Sequence, residues 1–216
     1  MLIGVTLIAI ISFFPKFKGM WKNAKHLLDA NSSLAWRVIV LHQILFWMGV
    51  MIGKGFPALN QHLSNLGAQA LSRSGIQTLS GMLELAGGIF AWNSVVGLLL
   101  TNALPNAVAG LGSLVVNLPR MTAVGIALSD QNAAVLALHT PTILLELSAY
   151  ALMSLAGILA LQELGKGLRA RSEFNMQLAQ KALRPTWILF PVSLLLLLLG
   201  AWYEAAEIQW LIPLVR

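Results

Sequence analysis

The chain contains no cysteine, which excludes disulfides, thiolate nucleophiles and cysteine-based metal sites. Charge is scarce as well. Asp, Glu, Lys and Arg make up 10% of the 216 residues, against about 25% in soluble domains. Acids are the scarcer sign, with 8 Asp and Glu against 14 Lys and Arg. With 57% hydrophobic residues and a mean hydropathy of +0.76, the apolar segments outnumber what a water-soluble core of this size can hold. The class left is the integral membrane protein. The net charge of +6 does not point to a nucleic acid, because the basic residues cluster beside apolar spans and do not interleave with aromatics.

Chemical motifs are missing too. There is no HExxH pair, no Gly-x-Ser-x-Gly elbow and no phosphate-cradling glycine loop. The histidines at 26, 42, 62 and 139 show no paired spacing that a metal would need. The expectation is a non-enzymatic protein without metal, cofactor or nucleic-acid partner.

The apolar runs set the organisation. Residues 1–14 are apolar but short, and 16–33 mix Lys16, Lys18, Lys22 and Lys25 with Phe17, Met20 and Trp21, as a segment lying on the membrane surface does. Residues 34–216 then form the helical membrane domain. The first full span is 34–53, carrying Arg37 and His42. Residues 57–74 hold too many Asn, Gln and Ser to cross lipid, and 75–102 is the next span. Pro105, Asn106, Gly110, Gly112, Asn117, Pro119 and Arg120 interrupt 104–129, which reads as a broken crossing or a re-entrant pair. Residues 141–164 and 186–208 complete the set. The fold expected is all-α and polytopic, with five to six transmembrane helices, one of them broken or re-entrant, plus amphipathic surface helices.

Positive charge orients the chain. The basic segments 16–37 and 165–184 belong on the cytoplasmic side, whereas 54–74 and 130–140 are nearly free of Lys and Arg. Two basic blocks on one face require an even number of crossings between them. The broken segment must therefore cross, which places the C-terminus outside.

Acids within these spans need a reason, since each costs about 2.5–3.5 kcal/mol on insertion scales. Glu84 shares a helical face with Gly87 and Gly88; Glu146 with Thr142, Ala149, Tyr150 and Met153; Glu204 follows Gly200. Small residues let helices approach, so the acids are expected to face neighbouring helices. Glu84, Asn93, His139, Glu146 and Glu204 are the expected buried polar cluster, with His42 and Arg120 as further candidate partners. Gly87, Gly88, Gly97, Gly157 and Gly200 are the expected packing glycines. Pro141 is expected to begin its helix, leaving His139 in the preceding loop. Leu83-Glu84-Leu85-Ala86 and Leu145-Glu146-Leu147-Ser148 look alike, and a duplicated unit would put Glu84 and Glu146 at similar depth.

Three stretches together resemble the stage II sporulation protein M family. Trp92-Asn93-Ser94-Val95-Val96-Gly97 is similar to its aromatic-Asn-Gly-x-x-x-Gly signature. Leu138-His139 with Leu145-Glu146-Leu147-Ser148-Ala149 is similar to its Pro-His-Gly-x-x-Glu-Leu-small-Ala motif. The apolar helix closing on Gly200-Ala201-Trp202-Tyr203-Glu204-Ala205 matches its C-terminal ending. The departures are Ser94 for glycine, Leu138 for proline, and three extra residues between His139 and Glu146. The resemblance covers residues 75–213 and rests most on Asn93, Gly97, Glu146 and Glu204. It implies a cytoplasmic-membrane protein of around five spans. In endospore formers that family recruits peptidoglycan-degrading proteins at the septal membrane, and relatives also occur in organisms that make no spores. The expected role is a membrane scaffold or assembly protein that binds other membrane proteins, in a hetero-complex or a homo-oligomer. The alternative is a transporter or permease-like subunit whose buried carboxylates couple to ions or protons.

Overall fold

The computed structural model describes residues 19–74, 81–169 and 176–214, and among them every regular element is helical. The expected apolar segment at 1–14 lies outside the described residues. Helix α1 (19–30) is amphipathic: Lys25 and Asp29 pair at 2.6 Å on its exposed side, while Ala24 is buried. Helix α2 (Ser32–Gly55) follows, then α3 (Pro57–Ser74). The polar residues of α3 have a structural use. Asn60 Nδ2 donates to the Ile126 carbonyl at 2.6 Å, and Ser64 Oγ to that of Ala127 at 2.8 Å. Those carbonyls lie in the last turn of α6, where helical N–H donors run out; the Ile126 carbonyl also accepts from the Ser129 amide at 3.2 Å.

Helix α4 (Met82–Trp92) continues into a wide π-helical stretch (Asn93–Ala103) and then α5 (Leu104–Ala109). Pro105 sits in the first turn of α5, where a missing N–H costs little. The chain reverses at Gly110, whose φ of 64° suits glycine, and Gly112 packs directly on the backbone of Pro105. Helix α6 (Gly112–Ala127) then returns. The interrupted run at 104–129 is thus corrected: its first six residues finish one helix, and the break is a tight turn.

Helix α7 (Ala133–Arg169) has 37 residues with Pro141 inside it. Its start is set earlier than expected, because Asn132 Oδ1 accepts from the Val135 amide at 2.8 Å and caps the first turn. His139 is therefore helical, two turns from Glu146. Helix α8 (Met176–Ala206) ends in a second π-helical turn, Glu207–Leu211, and a short 3-10 turn, Ile212–Leu214. Most of the expected basic linker at 165–184 is helix.

Among the described residues, four helical segments are long and apolar enough to cross a membrane: Ser32–Gly55, Met82–Val108, Ala133–Gly167 and Met176–Leu214. That is fewer than the five to six expected. The shortfall lies in α6, whose 16 residues reach about 24 Å against a hydrocarbon thickness near 30 Å. Helix α7 is the centre of the bundle. Its apolar stretch is 72% buried, against 28–33% for the other three. Phe46, Leu98, Met121, Met153 and Leu197 come from five segments and meet without solvent contact.

The tightest backbone approach joins α2 to α6. A Cβ on Gly125 would overlap the Phe46 carbonyl, and one on Gly49 would overlap that of Thr122. Glycine is needed there because the two backbones touch.

Candidate functional site

One face of α7 carries a column of polar groups between His139 and Ser154. At its N-terminal end His139 Nδ1 lies 3.0 Å from Glu207 Oε2, and Glu207 has no exposure at all. The widened turn that begins at Glu207 belongs to the end of α8, so this contact ties α8 to α7. One turn away, Tyr203 donates its hydroxyl proton to the Leu138 carbonyl at 3.1 Å. Pro141 has no N–H to give the Ala137 carbonyl, and in the same turn Thr140 donates its hydroxyl to the Leu136 carbonyl at 3.0 Å.

Two turns deeper, Asn93 Nδ2 donates to Glu146 Oε1. Glu204 lies within electrostatic reach of Glu146, His139 and Glu207. Gly200 packs beside Glu146, where an added Cβ would meet Glu146 Cγ at 3.4 Å, an ordinary contact. The counter-charge is Arg120 of α6. Its guanidinium sits 4.4 Å above the Tyr150 ring, donates to Thr101 Oγ1 at 3.0 Å, and is close enough for its charge to act on Glu146.

The column continues through neutral groups. The π-helical stretch brings residues four and five apart onto one side. There the Gly97 carbonyl accepts from Thr101, Asn102 and Arg120. Asn117 donates to Asn102 Oδ1 at 2.6 Å and to Ser154 Oγ at 3.0 Å. Ser154 Oγ lies 3.2 Å from His42 Nε2, and the other ring nitrogen lies 2.8 Å from the Val38 carbonyl. Beside them, Asn106 and Ser113 both donate to the Met153 carbonyl, at 2.8 and 2.9 Å. From His139 to Ser154 the column follows α7 for about 22 Å.

Of the expected site residues, the structure brings together Asn93, His139, Glu146 and Glu204. Glu84 is not among them. Helix α4 begins at Met82, so Glu84 lies in its first turn and is exposed. A carboxylate there favours the positive end of the helix dipole, which explains an acid at this edge. Asn93 rather than Glu84 meets Glu146, so the similar depth expected of the two acids is not found. Gly97 and Gly157 lie in tight contacts, against Tyr150 and the Gly110 carbonyl respectively, and Gly200 lies against Glu146. Gly87 faces open space and packs against nothing; Gly88 is half-buried.

Sequence reasoning left Glu207 out of the cluster, although it stands three residues from Glu204 on the same face. It also missed Asn102, Asn106, Asn117, Ser113 and Ser154. Their apolar neighbours hide them, and the signal available was asparagine inside a membrane-length run. Among the described residues no three His, Asp or Glu gather closely enough to hold a metal ion. The chain matches no known family model, no curated protein and no solved structure.

Proposed function

We propose that the protein is a non-enzymatic membrane scaffold, a rigid helical hub on which other membrane proteins assemble. The observation that carries this reading is how the interior polar groups are used. Asn93, Asn106, Asn117, Arg120, Ser193, Tyr203 and Glu207 reach α7 from the π-helical stretch, α5, α6 and α8. His42 does so from α2. Each such bond is worth about 0.6 kcal/mol in a membrane. Spread over the bundle, they fix helix register and leave recognition to the outer faces. The resemblance to the stage II sporulation protein M family, whose members recruit other proteins at a membrane, points the same way.

In the topology that accompanies this reading, α6 crosses beside α7 and makes the fifth span. The basic ends of α1, α7 and α8 are then cytoplasmic, with α3 and the C-terminus outside, in the inner membrane.

A second reading, an ion- or proton-coupled subunit, draws on a different observation. The hydroxyls of Ser94 and Thr142 are buried without a hydrogen-bond partner among the described residues, and Thr142 stands one turn before Glu146 on the same face of α7. Buried polar groups of this kind, next to acids, line ion paths in transporters.

The test is chemical cross-linking in native membranes followed by mild extraction, with Glu146→Gln beside the unmodified chain. Gln still bonds to Asn93, so the same cross-linked partners are expected from both. A chain that cross-links to no other protein contradicts the scaffold.

A further inference from the structure

We propose that a slot between α1, the C-terminal end of α7 and the start of α8 binds one anionic phospholipid, with its phosphate against Lys181 and Arg184. A cavity of about 630 Å³ opens there, lined by His26, Glu163, Lys166, Lys181 and Arg184 among others. A second, of about 550 Å³, adjoins it and shares Lys181 and Arg184. A shallow apolar crevice formed by Ile188, Pro191, Val192 and Leu195 continues from both, and Ile188 lines all three. It holds only about 10 Å³, so an acyl chain could lie along it but not be enclosed.

The charge in the slot is not spent internally. Lys166 pairs with Glu163, but Lys181 and Arg184 have no ion-pair partner among the described residues. The two stand three apart on one face of α8 and both are exposed. Trp187 follows on the same face, 63% exposed, and then Ile188, Pro191 and Leu195. Reading along α8, the order is cation, interfacial aromatic, apolar furrow. A phospholipid presents phosphate, glycerol and acyl chain in that same order. Basic pockets between membrane helices take anionic headgroups through this charge complementarity. A free phosphate would use the basic end and leave the furrow without purpose, so the structure assigns the slot to the lipid. The inference does not depend on the scaffold reading.

The test uses the purified, delipidated full chain in detergent, titrated with dioleoyl phosphatidylglycerol or dioleoyl phosphatidylcholine and read by native mass spectrometry. One phosphatidylglycerol per chain is expected, bound at least tenfold better than phosphatidylcholine. The double variant Lys181→Gln/Arg184→Gln should weaken phosphatidylglycerol binding roughly thirtyfold, from the typical contribution of two basic residues, and leave helicity unchanged. Lys22→Gln/Arg37→Gln removes the same charge from the same face outside the slot and should change binding less than threefold. Equal loss in both double variants would reduce the effect to a diffuse basic field and overturn the proposal. So would equal binding of the two lipids, or displacement of bound phosphatidylglycerol by millimolar inorganic phosphate.

Discussion

Glu207 has no solvent access, and His139, with its side chain 23% exposed, is its partner at 3.0 Å. A buried carboxylate stripped of its partner costs about 3–5 kcal/mol, whereas replacing both members with apolar side chains costs far less. His139→Leu is therefore expected to lower stability by about 3 kcal/mol in denaturant unfolding in micelles. The double variant His139→Leu/Glu207→Leu should recover most of that loss. Equal destabilisation by single and double variants would show that the pair does not couple. These residues were only partly legible in the sequence. Intramembrane acids stand out because hydrocarbon penalises them, and that reasoning found Glu146 and Glu204. It also drew in Glu84, whose penalty vanishes once the helix is seen to start at Met82. Glu207 sits so near the end of its apolar run that nothing in the sequence separates burial from exposure.

At the level of elements, glycine position decides where helices touch. Gly125 faces the Phe46 carbonyl of α2, whereas Gly87 faces open space. Gly125→Leu should force α2 and α6 apart and cost at least about 1–3 kcal/mol, the usual range for overpacking. Gly87→Leu should stay within about 0.5 kcal/mol of the parent, as exposed substitutions do. Thermal unfolding of the two variants in one detergent compares them directly, and equal melting shifts would contradict the packing described. Helix existence was legible from apolar length, as in α2 and α8. Helix continuity was not. Pro105 and Pro141 look like boundaries, yet the first falls in an opening turn and the second lies inside α7, whose first turn is capped earlier by Asn132. The π-helical stretch at Asn93–Ala103 was not legible either. Thr101 and Asn102 bond locally to the Gly97 carbonyl, but Asn93 reaches α7, and α6 supplies Arg120 and Asn117, all distant in sequence.

For the molecule as a whole, the disposition of α6 governs the topology. The absence of cysteine makes single-cysteine labelling clean. Gln61→Cys and Gln131→Cys are expected to react with an impermeant maleimide from one side of sealed vesicles, and Lys22→Cys and Glu163→Cys from the other. Labelling of Gln61→Cys and Gln131→Cys from opposite sides would mean that α6 does not cross. The membrane class follows from composition, whereas the central place of α7 does not, since α7 and α8 have equally apolar runs and differ only in burial. How the polar column pairs between helices could not be read in advance, because those bonds, such as Asn93 to Glu146 and His139 to Glu207, join residues far apart in the chain. The central claim is that this column clamps the bundle and carries no flux. Its most direct measurement is proton and sodium permeation in proteoliposomes holding the purified chain or Glu146→Gln. Both should match protein-free liposomes while melting within a few degrees of each other. Permeation by the unmodified chain that Glu146→Gln abolishes would contradict the clamp and make the column a conduction path.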